Sequence, residues 1–267
     1  MESPFFAPEE NLVIDQFLGQ GYYVFPIEDL NLLQALKKRI YEFGSSLLPT
    51  AEKPSQKDFF DNIHNYVSVK DLNEFRMKII THLAQDKELR PQVYALAKKH
   101  LHLIVGNELV MQRNCNLSIQ LPGDDSSLLP LHSDVWSGNS PYEVVFWLPL
   151  VDSYQTKSMF ILPPQYSEEV YKNFKDFAKL TTEEFFQKIK PNLVWFEVPY
   201  GHGVIFWHSL PHGNRVNEEK DTRWTINTRF KALLSPYCIK ELGETFLPIT
   251  IRPATRLGYS YRKPEVE

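Results

Sequence analysis

Between residues 129 and 152 the sequence reads LPLHSDVWSGNSPYEVVFWLPLVD, with His132 two positions before Asp134 and just ahead of a strongly apolar run. Alternate residues of an extended chain share a side, so an imidazole nitrogen and a carboxylate oxygen at this spacing can face one ion. Two such donors do not make a site. Two histidines and one carboxylate on one face, with the other positions open, suit a reactive divalent metal such as iron(II). Further histidines stand in GHGVIFWHSLPHGNR, at His202, His208 and His212. His208 closes an apolar run, whereas His212 follows a proline and precedes Gly213, in a turn that could aim it inward. An H-x-D pair alone is a common coincidence, for which an ordinary polar turn leading into a strand is the plainer explanation. Other features have to agree with it.

Eleven positions after His212, Arg223 opens the run RWTINTRF. In a strand, period two puts Arg223, Thr225, Asn227 and Arg229 on one face. An arginine turned into a β core is costly unless it meets an anion. A bound dicarboxylate would resolve that cost through a bidentate pair. The run QRNCNLSIQLPG alternates as well, with Asn114, Asn116, Ser118 and Gln120 opposite Cys115, Leu117, Ile119 and Leu121. The polar row fits a wet cavity, or else a solvated sheet face.

The elements that must carry these residues divide the chain. The first hundred residues read mainly as helix. In IEDLNLLQALKKRIYEFG, Leu33, Leu36, Ile40 and Phe43 fall at helical spacing, and Gly44 is a plausible stop. GYYVFPI before it reads as a strand ended by Pro26, residues 46–58 as a loop, and 70–86 and 89–104 as helices. From about residue 108 strands take over, through YEVVFWLPLVD, SMFILPP, LVWFEVP, GVIFWH and RWTINTRFKALL. A helical insertion interrupts them. Ser167 is a candidate cap for a helix burying Val170, Phe174 and Phe177, and Thr181 with Glu184 forms a capping box for the next. The expected fold is α+β with a mainly β core: a double-stranded β-helix, or cupin-like jelly roll, with N-terminal flanking helices. One domain is expected over 1–267, with a helical layer at 1–107, the jelly-roll core at 108–235 and a C-terminal extension at 236–267.

Of the 267 residues, 43% are hydrophobic and 13% aromatic, enough for a packed core. A net charge of −4 gives no support to nucleic-acid binding. No apolar run approaches the roughly 20 residues that cross a bilayer, and MESPFFAPEENLV has no signal-peptide pattern. Two cysteines make neither a disulfide framework nor a cysteine zinc site. The expectation is a cytoplasmic enzyme acting on a small molecule, with its oligomeric state unreadable.

H-x-D, a long gap, H-G-N and an arginine eleven residues on together resemble the Fe(II)- and 2-oxoglutarate-dependent oxygenases, and within them the phytanoyl-CoA dioxygenase-like branch. The resemblance spans most of the chain: GYYVFP between helices, HSD, VVFWLPLVD, SMFILPP and GVIFWHSLPHGNRVNEEKDTRW. SMFILPPQYSEE departs from it, standing where relatives carry a glycine-rich Pro-Gly-Ser-His type turn. HSDVWSGNSP and FWLPLVD are similar to oxygenases of surface-carbohydrate and antibiotic-sugar biosynthesis.

The resemblance implies His132, Asp134 and His212 as iron(II) ligands, leaving room for 2-oxoglutarate and O2. Arg223 matches the arginine that holds the far carboxylate of 2-oxoglutarate, with Thr225 adding a hydroxyl and Asn116 and Gln120 as further donors or structural residues. Related halogenases replace the carboxylate ligand, so Asp134 favours hydroxylation. Trp136, Ser137 and Asn139 follow the ligands and are candidates for the substrate mouth. His208 is then a packed, hydrogen-bonded histidine. The implied substrate is a small polar metabolite such as a sugar or nucleotide-linked sugar. Two other classes compete: a cupin-type metal-dependent isomerase, which the Arg223 spacing disfavours, and a barrel that binds without turnover.

Overall fold

A computed structural model describes residues 3–49 and 53–264. In chain order the elements begin with α1 (Pro8–Gln20), β1 (Tyr22–Pro26), α2 (Leu30–Ser46), α3 (Gln56–Asn62), α4 (Val69–Gln85) and α5 (Leu89–Ile104). Then come β2 (Leu109–Gln112), β3 (Asn116–Gln120), β4 (Glu143–Pro149) and β5 (Phe160–Ile161). The helical insertion is α6 (Pro164–Lys172), α7 (Phe174–Phe177) and α8 (Thr182–Ile189). The chain continues through β6 (Val194–Trp195), β7 (His202–Trp207), β8 (His212–Gly213), β9 (Arg223–Ala232), β10 (Phe246–Thr250) and α9 (Pro253–Ser260).

Among the described residues all the strand pairs are antiparallel and they form two sheets. The larger runs β1-β7-β4-β9-β2-β10, with β3 also on β9, and the smaller runs β6-β5-β8. The core is therefore mainly β with helices packed on it, as expected. Among the described residues no strand pairing joins the two sheets. The residues set apart as a C-terminal extension include β10, which completes an edge of the larger sheet against β2.

Strand β9 shows how sequence period positions the site. Trp224, Ile226 and Phe230 turn to the helical side and join one hydrophobic core with residues of α2 to α5. Fully buried Trp224 lies 5.2 and 5.1 Å, ring to ring, from Phe59 and Phe60 of α3, and 6.4 Å from Phe75 of α4. Truncating such a residue to alanine costs roughly 3–5 kcal/mol. The alternate residues Arg223, Thr225, Asn227 and Arg229 face the other way and line a pocket. Strand β4 alternates similarly, sending Val144, Phe146 and Leu148 to the helical core and Val145 and Trp147 to a second cluster.

Several local expectations are corrected. Gly44 does not stop α2 but lies buried within it, where a Cβ would stand 2.5 Å from the Phe59 ring. Phe43 is only half-buried and stacks on His82 at 3.7 Å. The loop over 46–58 ends early, because the Ser55 hydroxyl accepts from the Asp58 amide and caps α3; its residues 50–52 lie outside the described residues. Ser167 sits inside α6, donating to the Leu162 carbonyl, and Phe174 and Phe177 belong to the separate α7. The capping box of Thr181 and Glu184 is present. The strand expected through QRNCNLSIQLPG breaks between Gln112 and Asn116, so its polar row does not share one cavity.

Candidate metal centre

His132 and His212, 80 positions apart, are backbone neighbours. Each donates its amide to the other's carbonyl, at 2.9 and 2.8 Å, and the ring centroids lie 4.3 Å apart. Gly213 permits this approach, because a Cβ there would stand 2.8 Å from the Leu129 carbonyl oxygen and 3.0 Å from that of Pro130. Asp134 does not continue an extended chain, as the H-x-D reading assumed. It opens a 3-10 turn over Asp134–Ser137, and its amide donates to the His208 carbonyl at 3.2 Å. One donor atom from each of His132, Asp134 and His212 falls within 4.8 Å of the others.

Hydrogen bonding fixes which atoms are free. Nδ1 of His132 meets the Pro130 carbonyl and Nδ1 of His212 meets the Leu210 carbonyl, both at 2.8 Å. A carbonyl only accepts, so both Nδ1 atoms carry protons and both Nε2 lone pairs remain available to a metal. Burial, with the neighbouring His132, lowers the His212 pKa to about 3 and keeps that ring neutral. Asp134 is equally constrained. Its Oδ2 accepts from Arg229 Nε and Nη2 at 3.0 and 2.7 Å and from His208 Nδ1 at 3.0 Å, leaving Oδ1 3.7 Å from His132 Nε2. Burial alone would raise the Asp134 pKa, but the His208 hydrogen bond and the Arg229 charge outweigh it and hold it well below the carboxylate range.

His208 is fully buried with both ring nitrogens engaged, Nδ1 on Asp134 and Nε2 on the Ser140 carbonyl at 2.9 Å. Both nitrogens are taken up by these contacts, and the one with Asp134 positions that carboxylate. His202 does not line the pocket.

The donors open onto a narrow pocket of about 80 Å³ with an apolar wall of Val145, Trp147, Met159 and Phe206. Arg223 is 3% exposed and also lines it. Its Nη1 donates to the Ser158 carbonyl at 2.9 Å and its Nη2 to the Ser118 hydroxyl at 3.3 Å. Burial pulls its pKa down to about 10, still cationic at neutral pH, and among the described residues it has no ion-pair partner. Among the described residues, its Nε and the Thr225 hydroxyl are both buried without a hydrogen-bond partner, and no other residue lining this pocket has such an atom. Orphaned buried polar groups are costly, and two of them on neighbouring pocket residues fit an anion.

The remaining expected residues fall elsewhere. Asn116 donates to the Asn227 side chain at 3.2 Å and lines a larger outer cleft instead of the inner pocket. Gln120 is fully buried and donates to the Arg215 carbonyl, away from the pocket lining. Trp136 packs on Phe174 and Phe185, Ser137 is exposed, and the Asn139 amide donates to the Asp134 carbonyl. None of these three lines the inner pocket or the outer cleft. Sequence reasoning put Arg229 on the right strand face without a role; its carboxylate partner lies 95 positions away.

The sequence matches no protein-family model and no curated protein. Solved structures share its fold. EvdMO1 aligns with a TM-score of 0.57 at 14% identity, over 84% of this chain and 50% of its own. HygX from Streptomyces hygroscopicus, solved with nickel and 2-oxoglutarate bound, aligns at 0.51 and 11% identity, covering 87% of this chain and 89% of its own. The epimerase SnoN, solved with Fe3+, alpha ketoglutarate and nogalamycin RO, aligns at 0.50 and 13% identity over 86% of each chain. At these identities the likeness is one of fold. What the site does rests on its own residues.

Proposed function

We propose that this protein is an Fe(II)- and 2-oxoglutarate-dependent oxygenase of the phytanoyl-CoA dioxygenase-like kind, built on a double-stranded β-helix and hydroxylating a small organic molecule. The observation that carries the reading is the pairing of two features in one pocket. His132, Asp134 and His212 present three free donor atoms, and the same pocket is lined by a buried, acid-free Arg223 beside the unpartnered Thr225 hydroxyl. Bound there, iron(II), 2-oxoglutarate and O2 would supply the oxidising power for C–H cleavage, with 2-oxoglutarate leaving as succinate and CO2.

The chain's own residues have separable tasks. The two Nε2 atoms and Asp134 Oδ1 hold the metal, while Arg229 and His208 keep Oδ2 occupied. Arg223 and Thr225 grip the distal carboxylate of 2-oxoglutarate, and Val145, Trp147, Met159 and Phe206 exclude water from the pocket. A metal-dependent isomerase that uses no cosubstrate has no need of this second, anion-shaped provision. The resemblance to oxygenases of carbohydrate biosynthesis supports a sugar or nucleotide-linked sugar as substrate. Two free cysteines suit a reducing, cytoplasmic setting, and no helix among the described residues is long and apolar enough to cross a membrane.

Anaerobic addition of Fe(II) and 2-oxoglutarate together tests the reading. A weak visible absorption band that needs both, and that disappears in His132→Ala and in Arg223→Gln, is expected. Metal binding without a 2-oxoglutarate-dependent band, and without succinate formation in air, would overturn it.

A further inference from the structure

Two of the three metal donors, His132 and Asp134, also border an outer cleft of about 780 Å³, which shares them and Ser118, Leu129, Asn227 and Arg229 with the inner pocket. One wall is a single stripe of α4: Val69, Leu72, Asn73, Arg76, Met77 and Ile80. These positions recur at helical spacing. The stripe borders the core, which Leu72 joins and Ile80 packs against, but its Val69, Asn73 and Met77 are exposed. It is also unusually apolar for a surface, since Val69 and Met77 are 47% and 46% exposed and Leu129 opposite them is 56% exposed. The facing wall is firm. Ser126 and Ser127 donate their hydroxyls to buried Asp124, and the Ser126 amide donates to it as well.

Charge in the cleft is one-sided. Among the described residues Asp134 is the only acid lining it, and Arg229 already pairs with that carboxylate. Arg76 has no acidic partner among the described residues; its Nη2 donates to the neutral Asn73 side chain at 2.7 Å, and its Nε is buried with no partner. An uncompensated guanidinium amid apolar side chains suits an oxyanion joined to a hydrophobic body.

From this juxtaposition we propose that the outer cleft binds the organic substrate, and that this substrate carries a carboxylate or phosphate, held by Arg76, on an apolar framework lying along Val69, Met77 and Leu129. The inference rests on the oxygenase reading only for what then happens to the bound molecule. It departs from the sugar named above, because a neutral free sugar satisfies neither Arg76 nor the apolar stripe.

Calorimetric titration of the full chain with four probes tests this: 4-phenylbutyrate, 4-phenylbutyl phosphate, neutral 4-phenylbutanol and gluconate. Saturable binding of the first two is expected, with the tighter one identifying the anion, and the alcohol and gluconate binding at least about tenfold more weakly, the scale of one charge-assisted hydrogen bond. Arg76→Gln should weaken the two aryl anions about tenfold and Arg76→Lys less, while Arg223→Gln should leave them unchanged; melting midpoints confirm that each variant is folded. Failure of both aryl anions to bind, equal binding of acid and alcohol, or a loss in Arg223→Gln but not in Arg76→Gln, would overturn the proposal. Loss of the iron- and 2-oxoglutarate-dependent band with anion binding intact would instead count against the oxygenase reading alone.

Discussion

Arg229 places two donors, Nε and Nη2, on a single oxygen of Asp134, at 3.0 and 2.7 Å, and leaves the carboxylate's other oxygen free. With His208 as a third donor to that same oxygen, Asp134 can reach a metal only through Oδ1. The arrangement would make Asp134 a one-oxygen ligand.

Removing that clamp should loosen the metal. Arg229→Gln takes away two charge-assisted hydrogen bonds, and changes to residues that orient a metal ligand typically cost 10–100-fold in metal affinity. Arg229→Lys keeps the charge but not the fork, so an intermediate loss is expected. Competitive titration with a metal indicator, using Co(II) or Fe(II), reads both variants. Wild-type affinity in Arg229→Gln would mean that Asp134 is oriented by other contacts.

Arg223 should behave in the opposite way. In the absence of an anion its buried charge is a burden, so Arg223→Met ought to leave the ligand-free protein at least as stable as wild type in urea unfolding. The same variant should lose roughly 2–5 kcal/mol of 2-oxoglutarate binding, the usual cost of truncating one partner of a buried charged pair. Its metal affinity should be retained. A strongly destabilised Arg223→Met with normal 2-oxoglutarate binding would show that the guanidinium serves the fold instead.

The contrast between these arginines shows how far the sequence could be read. Period two alone puts both on the pocket face of β9, and the apolar alternation of Trp224, Ile226 and Phe230 explains why. Their partners are set by non-local pairing. Which histidine joins His132 depends on two backbone hydrogen bonds between residues 80 positions apart; the Pro-His-Gly context sets His212 apart from His208 but does not show that pairing. Gly44 misled because helix-stop rules consider only the local chain, whereas its missing side chain makes room for Phe59. The substrate mouth was sought next to the ligands, at Trp136, which lines neither cavity, whereas the cleft beside His132 and Asp134 is walled by a stripe of α4 that no local pattern singles out.

Gly213 tests whether the two histidines depend on close backbone approach. In Gly213→Ala the new methyl meets the Leu129 and Pro130 carbonyl oxygens and the Leu131 amide nitrogen at 2.8, 3.0 and 3.1 Å, and all three are backbone atoms. The segment carrying His132 must retreat, so a loss of about 1–3 kcal/mol in stability is expected, with weaker metal binding beyond that loss. Unfolding in urea and metal titration of the folded variant measure the two effects. A stability and metal affinity both equal to wild type would place the flexibility elsewhere.

The two cysteines should react very differently. Burial pushes the Cys115 thiol up to about 12, against partial opposition from the Arg90 charge, whereas Cys238 is exposed. Only the thiolate alkylates, and against the ordinary value of 9.0 the Cys115 thiolate at pH 8 is scarcer by roughly a thousandfold. Native protein treated with iodoacetamide should therefore gain one adduct, at Cys238, and a second only in denaturant, as read by peptide mass spectrometry. The linkage sign follows from the same shift. Below pH 9 both folded and unfolded chains keep the Cys115 proton, so nothing is lost there. Between 9 and 12 the unfolded chain gives it up first, and stability falls as pH rises. Cys115→Ser should flatten that alkaline fall relative to wild type, and an unchanged slope, or equal labelling of both thiols in the native protein, would show that Cys115 is not held as a neutral thiol.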